Sequence, residues 1–237
     1  QCPWDDPAKQ AVAMSTGEVE RLVADFAAAA SRAERAGFDG VEGHGAHGYL
    51  LGQFLDARNQ RTDGYGGSLE ARQRVVLEVV EAVRAATGSD FQVGLRLTPE
   101  GNGITLEEGR ETARLMLASG LLDYLDMSLW DVFMKPRGGA PGLLIEHFTD
   151  LPRGGTRLGV AGKVLSTADA RWCLEQGADL VTVGMGAIRH HDFAARVLAD
   201  DAFVARPVPL TREQLREERV GPAFIDYLAA GWPDVVA

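Results

Sequence analysis

His44, His47 and Tyr49 lie close together in the run GVEGHGAHGYLLGQFLDARNQRTDGYGGSLEAR, Gly40 to Arg72. Imidazole and phenol donate hydrogen bonds and carry protons, so general acid–base work is chemistry that such a trio could do. Each residue also has a structural reading. A histidine near a strand end is often satisfied by its neighbours, and Tyr49 before Leu50 and Leu51 could belong to the core. A metal reading of H-x-x-H is weaker, because no nearby carboxylate or third histidine completes a zinc set and residues three apart on an extended strand face opposite ways. No metal is therefore assigned, although a metal-dependent hydrolase on a barrel, built on His44, His47 and His190 or His191, stands as a competing reading.

The elements that must position these side chains can be read from periodicity. Val19, Leu22, Val23, Phe26, Ala27, Ala30 and Ala33 recur at three- and four-residue intervals, the apolar stripe of a long helix over Ser15–Ala36. Gly37 ends it, and Phe38–Glu42 reads as a short buried strand. The theme then repeats: a helix over Ser68–Ala86, a strand Gln92–Leu97, a helix Thr105–Ser119, a strand Leu122–Met127, a Gly- and Pro-rich loop, a strand Arg157–Ala161, a helix Thr167–Gln176, a strand Asp179–Val183, and a last helix from about His191 or Asp192. Strands alternating with helices mean parallel βα units in one α/β domain. Five strands are visible where a closed (β/α)8 TIM barrel has eight. In such a barrel the chemistry sits on the loops after the strands, and the longest interval follows the first strand, where the histidines are.

Composition excludes other classes. With 34 acidic against 24 basic residues, the net charge of −10 repels phosphate backbones, so nucleic acid is not an expected partner. No apolar run approaches the ~20 residues that span a bilayer. Cys2 and Cys173 are isolated, which argues against a disulfide framework, a cysteine zinc site or an iron–sulfur cluster and suits a cytoplasmic protein. The chain begins with Gln1, which suggests processing, trimming or a fragment.

HGAHGYL (His44–Leu50), QFLDARNQRTDGYGGSLEAR (Gln53–Arg72), VGLRLTP (Val93–Pro99) and PAFIDYL (Pro222–Leu228) together resemble the Old Yellow Enzyme family of FMN-dependent oxidoreductases, which fold as (β/α)8 barrels. The resemblance implies FMN as cofactor and NAD(P)H as reductant, with an enone or similar electron-poor alkene as small-molecule substrate. His44 and His47 would hold the substrate carbonyl oxygen, where negative charge builds as hydride arrives from the flavin, and Tyr49 would give the proton. Arg96 would contact the flavin. Asn59, Arg61, Asp63, Tyr65, Gly66 and Gly67 match an ordered structural loop. Ala161, Gly162 and Lys163, with Gly184 and Met185, occupy the places of the phosphate-binding loops.

Two departures shape the expectation. Met185 stands where the family has an arginine on the FMN phosphate, a loss that Lys163, Arg189, His190 or His191 would have to make good. The family has three further βα units before Ser15, so residues 1–237 are expected to form one FMN oxidoreductase-type barrel domain lacking its first three units. Such an arc would expose two strand edges and an apolar lining. Gly43 also replaces a bulky apolar residue and removes a core contact. The competing reading from another class is a non-catalytic remnant or assembly component that cannot bind FMN alone, with self-association into a homo-oligomer left open.

Overall fold

Ser15 opens the first helix: its hydroxyl accepts from the Glu18 N–H while the Glu18 carboxylate accepts from the Ser15 N–H, a reciprocal capping box. The computed structural model describes residues 12–232 and 234–237; Cys2 lies outside them. The helix, α1, covers Thr16–Arg35. It is followed by β1 (Gly40–Gly45), α2 (Leu50–Leu55), α3 (Leu69–Ala85), β2 (Gln92–Leu97), α4 (Leu106–Ala118), β3 (Tyr124–Ser128), α5 (Glu146–Thr149), β4 (Arg157–Ala161), α6 (Thr167–Glu175) and β5 (Leu180–Thr182). Four helices close the chain: α7 (Met185–Arg189), α8 (Phe193–Ala199), α9 (Arg212–Glu217) and α10 (Pro222–Gly231). No helix among the described residues is long and apolar enough to cross a membrane.

The five strands are all parallel and lie side by side in chain order. Sequential parallel strands joined by helices form an arc of a (β/α)8 barrel. Among the described residues β1 and β5 each pair on one side only.

Three expected boundaries move. The first strand begins at Gly40, not Phe38, because Phe38 belongs to the helix end: Gly37 turns at φ +87°, its N–H donates to Glu34 O and the Phe38 N–H to Ala33 O, a Schellman closure that leaves Phe38 66% exposed. The strand then runs on to Gly45, so His44 lies in it. The third strand shifts to Tyr124–Ser128 and the fifth shortens to Leu180–Thr182. The helix after His191 is not the last, since Thr211 and Gln214 form another capping box at α9 and α9 and α10 close a separate cluster around Leu210, Leu215, Ile225 and Leu228.

Period-two alternation sorts the strand residues. Val93, Leu95, Leu97, Leu125, Met127, Leu158 and Val160 meet Val75, Val76, Val79 and Val80 of α3 and Ala113, Met116 and Leu117 of α4 in the main core. Alternate residues, Glu42, His44, Arg96, Tyr124, Asp126 and Ser128, occupy the other face. That face is largely polar, which corrects the expectation of an apolar lining: the large aliphatic residues of β1 to β4 fall on the helix side of the alternation, and Leu180 of β5, over Gly159, is the aliphatic residue on the polar side. Gly94 makes room there, since a Cβ on it would lie 2.1 Å from the Tyr124 ring.

Gly43 falls on the helix side, beside a cavity of about 210 Å3 lined by Phe26, Ala30, Val41, Val79, Val83 and Leu95. A Cβ there would sit 3.4 Å from Leu95, an ordinary contact. Gly43→Ala is expected to stabilise the chain by about 1 kcal/mol, from a buried methyl and a stiffer unfolded chain, seen as a raised urea midpoint; an unchanged or lower midpoint would show that the space is not fillable.

The segment between α2 and α3 is tied down at several points. Asn59 donates to Phe54 O and Tyr65 O at 2.9 and 2.7 Å. Buried Arg72 ion-pairs with Glu108 and donates to Leu55 O. Asp63 pairs with Arg61 and accepts from Thr16 Oγ1 at 2.8 Å, and the Arg61 guanidinium holds the Asp63 carboxyl down at about 2. A depressed carboxylate stabilises above its unfolded pKa and loses that contribution as pH falls. Asp63 should thus contribute about 2 kcal/mol above roughly pH 4, lost toward pH 2. Acid unfolding followed by circular dichroism should be less steep in Asp63→Asn over that window; superimposable profiles would exclude the coupling.

Candidate functional site

The site grows from one strand register. His44, the penultimate residue of β1, stands opposite Arg96, the penultimate residue of β2, and Arg96 stands opposite Asp126 of β3. All three lie toward the C-terminal ends of the strands, on the polar face. Beyond Gly45 the chain turns sharply. His47 takes φ +62°, a costly conformation for a residue with a Cβ, and its N–H donates to Thr98 Oγ1 at 2.7 Å. This turn brings the two imidazoles to 5.2 Å between centroids, although residues three apart on a strand would diverge. Tyr49 caps the start of α2, 62% exposed, with its ring 5.3 Å from His44.

Arg96 is held from two sides. Its Nε lies 3.4 Å from Asp126 Oδ2, and its Nη2 donates to Ser128 Oγ at 3.1 Å. Ser128 Oγ in turn lies 2.7 Å from His47 Nε2. Burial and the Arg96 charge lower the pKa of both His44 and His47, and His44 adds to the effect on His47. Both are therefore neutral near pH 7, each with one N–H to offer. Asp126 is fully buried, and burial raises its carboxyl while Arg96 pulls it down.

Asp126, Ser128 and Trp130 join the site although no motif in the sequence marks them. Trp130, at φ +65° and 45% exposed, sets its ring 5.1 Å from His47. Asp126 and Ser128 did carry a signal, two polar residues flanking Met127 in an otherwise apolar strand. Trp130 carried none.

The loops after β4 and β5 are less complete. Lys163, at φ +49°, pairs with Asp131 at 3.1 Å. Gly162 must be glycine, because a Cβ would lie 2.7 Å from the Asp131 backbone nitrogen. Gly184 caps α7 with open space around its Cβ position. The Met185 side chain joins the apolar C-terminal cluster, so toward an anion it has only its backbone N–H to offer. Arg189 is buried and donates to Arg206 O at 3.2 Å.

Among the described residues one group has the geometry of a metal site, His190, Asp192 and Glu218. It includes neither His44 nor His47, and its bonding is against a metal. His190 Nε2 accepts from the Arg206 N–H at 3.0 Å, which leaves the proton of a neutral ring on Nδ1. Glu218 is occupied by Arg206 at 2.6 Å and by His191 at 2.9 Å.

Residues 5–201 match the NADH:flavin oxidoreductase / NADH oxidase family. The chain belongs to that family. It is 34% identical over 207 residues to the multifunctional alkene reductase/demethylase OYE of Caballeronia cordobensis, covering 82% of this chain and 30% of that protein. It is 40% identical over 193 residues to the probable NADH-dependent flavin oxidoreductase YqiG of Bacillus subtilis, covering 76% of this chain and 51% of the relative. Among solved structures, a morphinone reductase variant in complex with tetrahydroNAD superposes with a TM-score of 0.68 at 35% identity, over 86% of this chain and 54% of that one. The chain thus spans about half of that structure and of YqiG, in keeping with five strands of an eight-stranded barrel.

Family membership implies FMN, and the polar face fits the group on one side. Arg96 Nε is buried in ion-pair range of Asp126 but makes no hydrogen bond, and its guanidinium is a cation held at the strand ends beside both histidines. On the phosphate side this chain offers backbone groups around Gly162 and Gly184, with Lys163 already paired.

Proposed function

We propose that this chain carries the substrate half of an FMN-dependent oxidoreductase that reduces the C=C bond of enones or related electron-poor alkenes with NAD(P)H. The observation that supports it most is the convergence of His44, His47 and Arg96 at the strand ends, tied together through Ser128. FMN, when bound, supplies the hydride. Everything else falls to the protein. His44 and His47 would donate to the carbonyl oxygen of the alkene, whose negative charge grows as the β-carbon is reduced; such donors stabilise the transition state more than the ground state. Tyr49, exposed beside His44, would give the α-carbon its proton as general acid. Arg96 would place a fixed positive charge against the cofactor, and the loops at Ala161–Lys163 and Gly184–Met185 would take its phosphate through backbone N–H groups.

We infer further that residues 1–237 belong to a single barrel domain, of which they carry five βα units, acting on small molecules rather than nucleic acid or membranes. A cytoplasmic setting fits the free, buried thiol of Cys173, which burial pushes up to about 11. The reading is tested in a complete barrel carrying this segment, by visible absorption for flavin and by NADPH oxidation that depends on cyclohexenone. A flavin spectrum with enone-dependent turnover is expected; a colourless protein unable to take up FMN would overturn it. Tyr49→Phe in that barrel should slow enone reduction at least tenfold while leaving flavin reduction by NADPH unchanged, measured as separate half-reactions. Equal slowing of both would remove Tyr49 from the proton's path.

A further inference from the structure

We propose that Ser128 is a positioning residue for His47: its hydroxyl, fixed by Arg96, donates to His47 Nε2 and locks the ring in the Nδ1–H tautomer, so that Nδ1–H is the donor His47 presents to a carbonyl oxygen. The proposal deepens the functional reading above and rests on it for the identity of the ligand.

Ser128 Oγ has two partners at hydrogen-bond distance, Arg96 Nη2 at 3.1 Å and His47 Nε2 at 2.7 Å, and the residue is 3% exposed. A hydroxyl has one proton and two lone pairs. Arginine can only donate, so the Arg96 bond uses a lone pair. If His47 Nε2 also donated, the Ser128 proton would be buried with no acceptor among the described residues, the arrangement folded proteins avoid. With Ser128 donating to Nε2, the hydroxyl proton, His47 Nε2 and Arg96 Nη2 each have a partner. His47 is then neutral with its proton on Nδ1, and burial beside Arg96 already disfavours the imidazolium.

The arrangement has a chemical consequence. Arg96 donating into Oγ polarises the Ser128 O–H, which draws density from Nε2 and makes the Nδ1–H a better donor. Histidine free in water favours the opposite tautomer, with the proton on Nε2. A serine on β3 thereby decides which nitrogen of a residue after β1 faces the reaction.

The test is a long-range proton–nitrogen correlation spectrum of the chain with nitrogen-15 in its five histidines, His47 being assigned by its loss in His47→Asn. The expected spectrum shows His47 with a protonated Nδ1 and a bare Nε2. Ser128→Ala should move the proton to Nε2 in most molecules, and Ser128→Thr, which keeps the hydroxyl, should restore the parent pattern. A protonated Nε2 in the parent chain would overturn the proposal even if Ser128→Ala does not fold. So would an unchanged His47 tautomer in a folded Ser128→Ala. The spectrum needs neither flavin nor turnover, so failure of the tautomer and failure of the reductase reading are told apart.

Discussion

Replacing His44 and His47 together by alanine in a complete barrel is expected to cost at least a hundredfold in enone reduction while the flavin stays bound. Each donor to a developing oxyanion typically contributes ~2.7–4 kcal/mol. The two rings sit 5.2 Å apart, close enough to share one oxygen, so the double change removes the whole cradle. Neither ring is a main support of the fold: His44 and His47 are half-buried, and the strand register beneath them rests on backbone pairing. Arg96 remains in place, held by Asp126, so cofactor retention and loss of turnover should separate. Steady-state rates with cyclohexenone, alongside the visible spectrum, check this. A rate within tenfold of the parent would remove the histidines from carbonyl activation.

The second large effect concerns the chain by itself. Nanomolar affinity for FMN corresponds to about −12 kcal/mol. Here β1 and β5 pair on one side only among the described residues, and Met185 lies in the apolar C-terminal cluster. The loss of one charge-assisted phosphate bond costs ~1.5–3 kcal/mol, and a pocket open along one wall lets water weaken the remaining polar contacts. Together these place the expected dissociation constant at about 1 µM or weaker. Fluorescence titration of FMN with the 237-residue chain measures it. Saturable nanomolar binding would mean that the missing wall is supplied from elsewhere, a second copy of the chain being the first candidate.

How far the sequence reached can be judged residue by residue. The helices α3, α4 and α6 were legible nearly to their ends because Ser68, Thr105 and a helical apolar period mark them. Gln92–Leu97 and Arg157–Ala161 were legible as apolar runs of strand length. The start of β1 was misplaced because Phe38 looks like a core residue but serves the helix end before it. The polar inner face is hard to see in the sequence because the residues that make it, Asp126 and Ser128 among them, sit singly between apolar neighbours in short strands. In the site, His44 and Arg96 could be named in advance, whereas their adjacency depends on register between strands far apart in sequence. The approach of His47 to His44 depends on a single positive φ that no residue type announces. Asp126 and Ser128 hold Arg96 from a third strand, a relation only the folded sheet creates.

The most direct test of the site assignment is the oxidative half-reaction in a complete barrel: the FMN-loaded protein, reduced beforehand without oxygen, is mixed with cyclohexenone in a stopped-flow instrument and the flavin absorbance is followed. Saturable return of the oxidised spectrum with formation of cyclohexanone, abolished in His44→Ala/His47→Ala, is the expected result. A flavin that stays reduced in the presence of the enone, or that is reoxidised equally fast without the two histidines, would contradict the assignment.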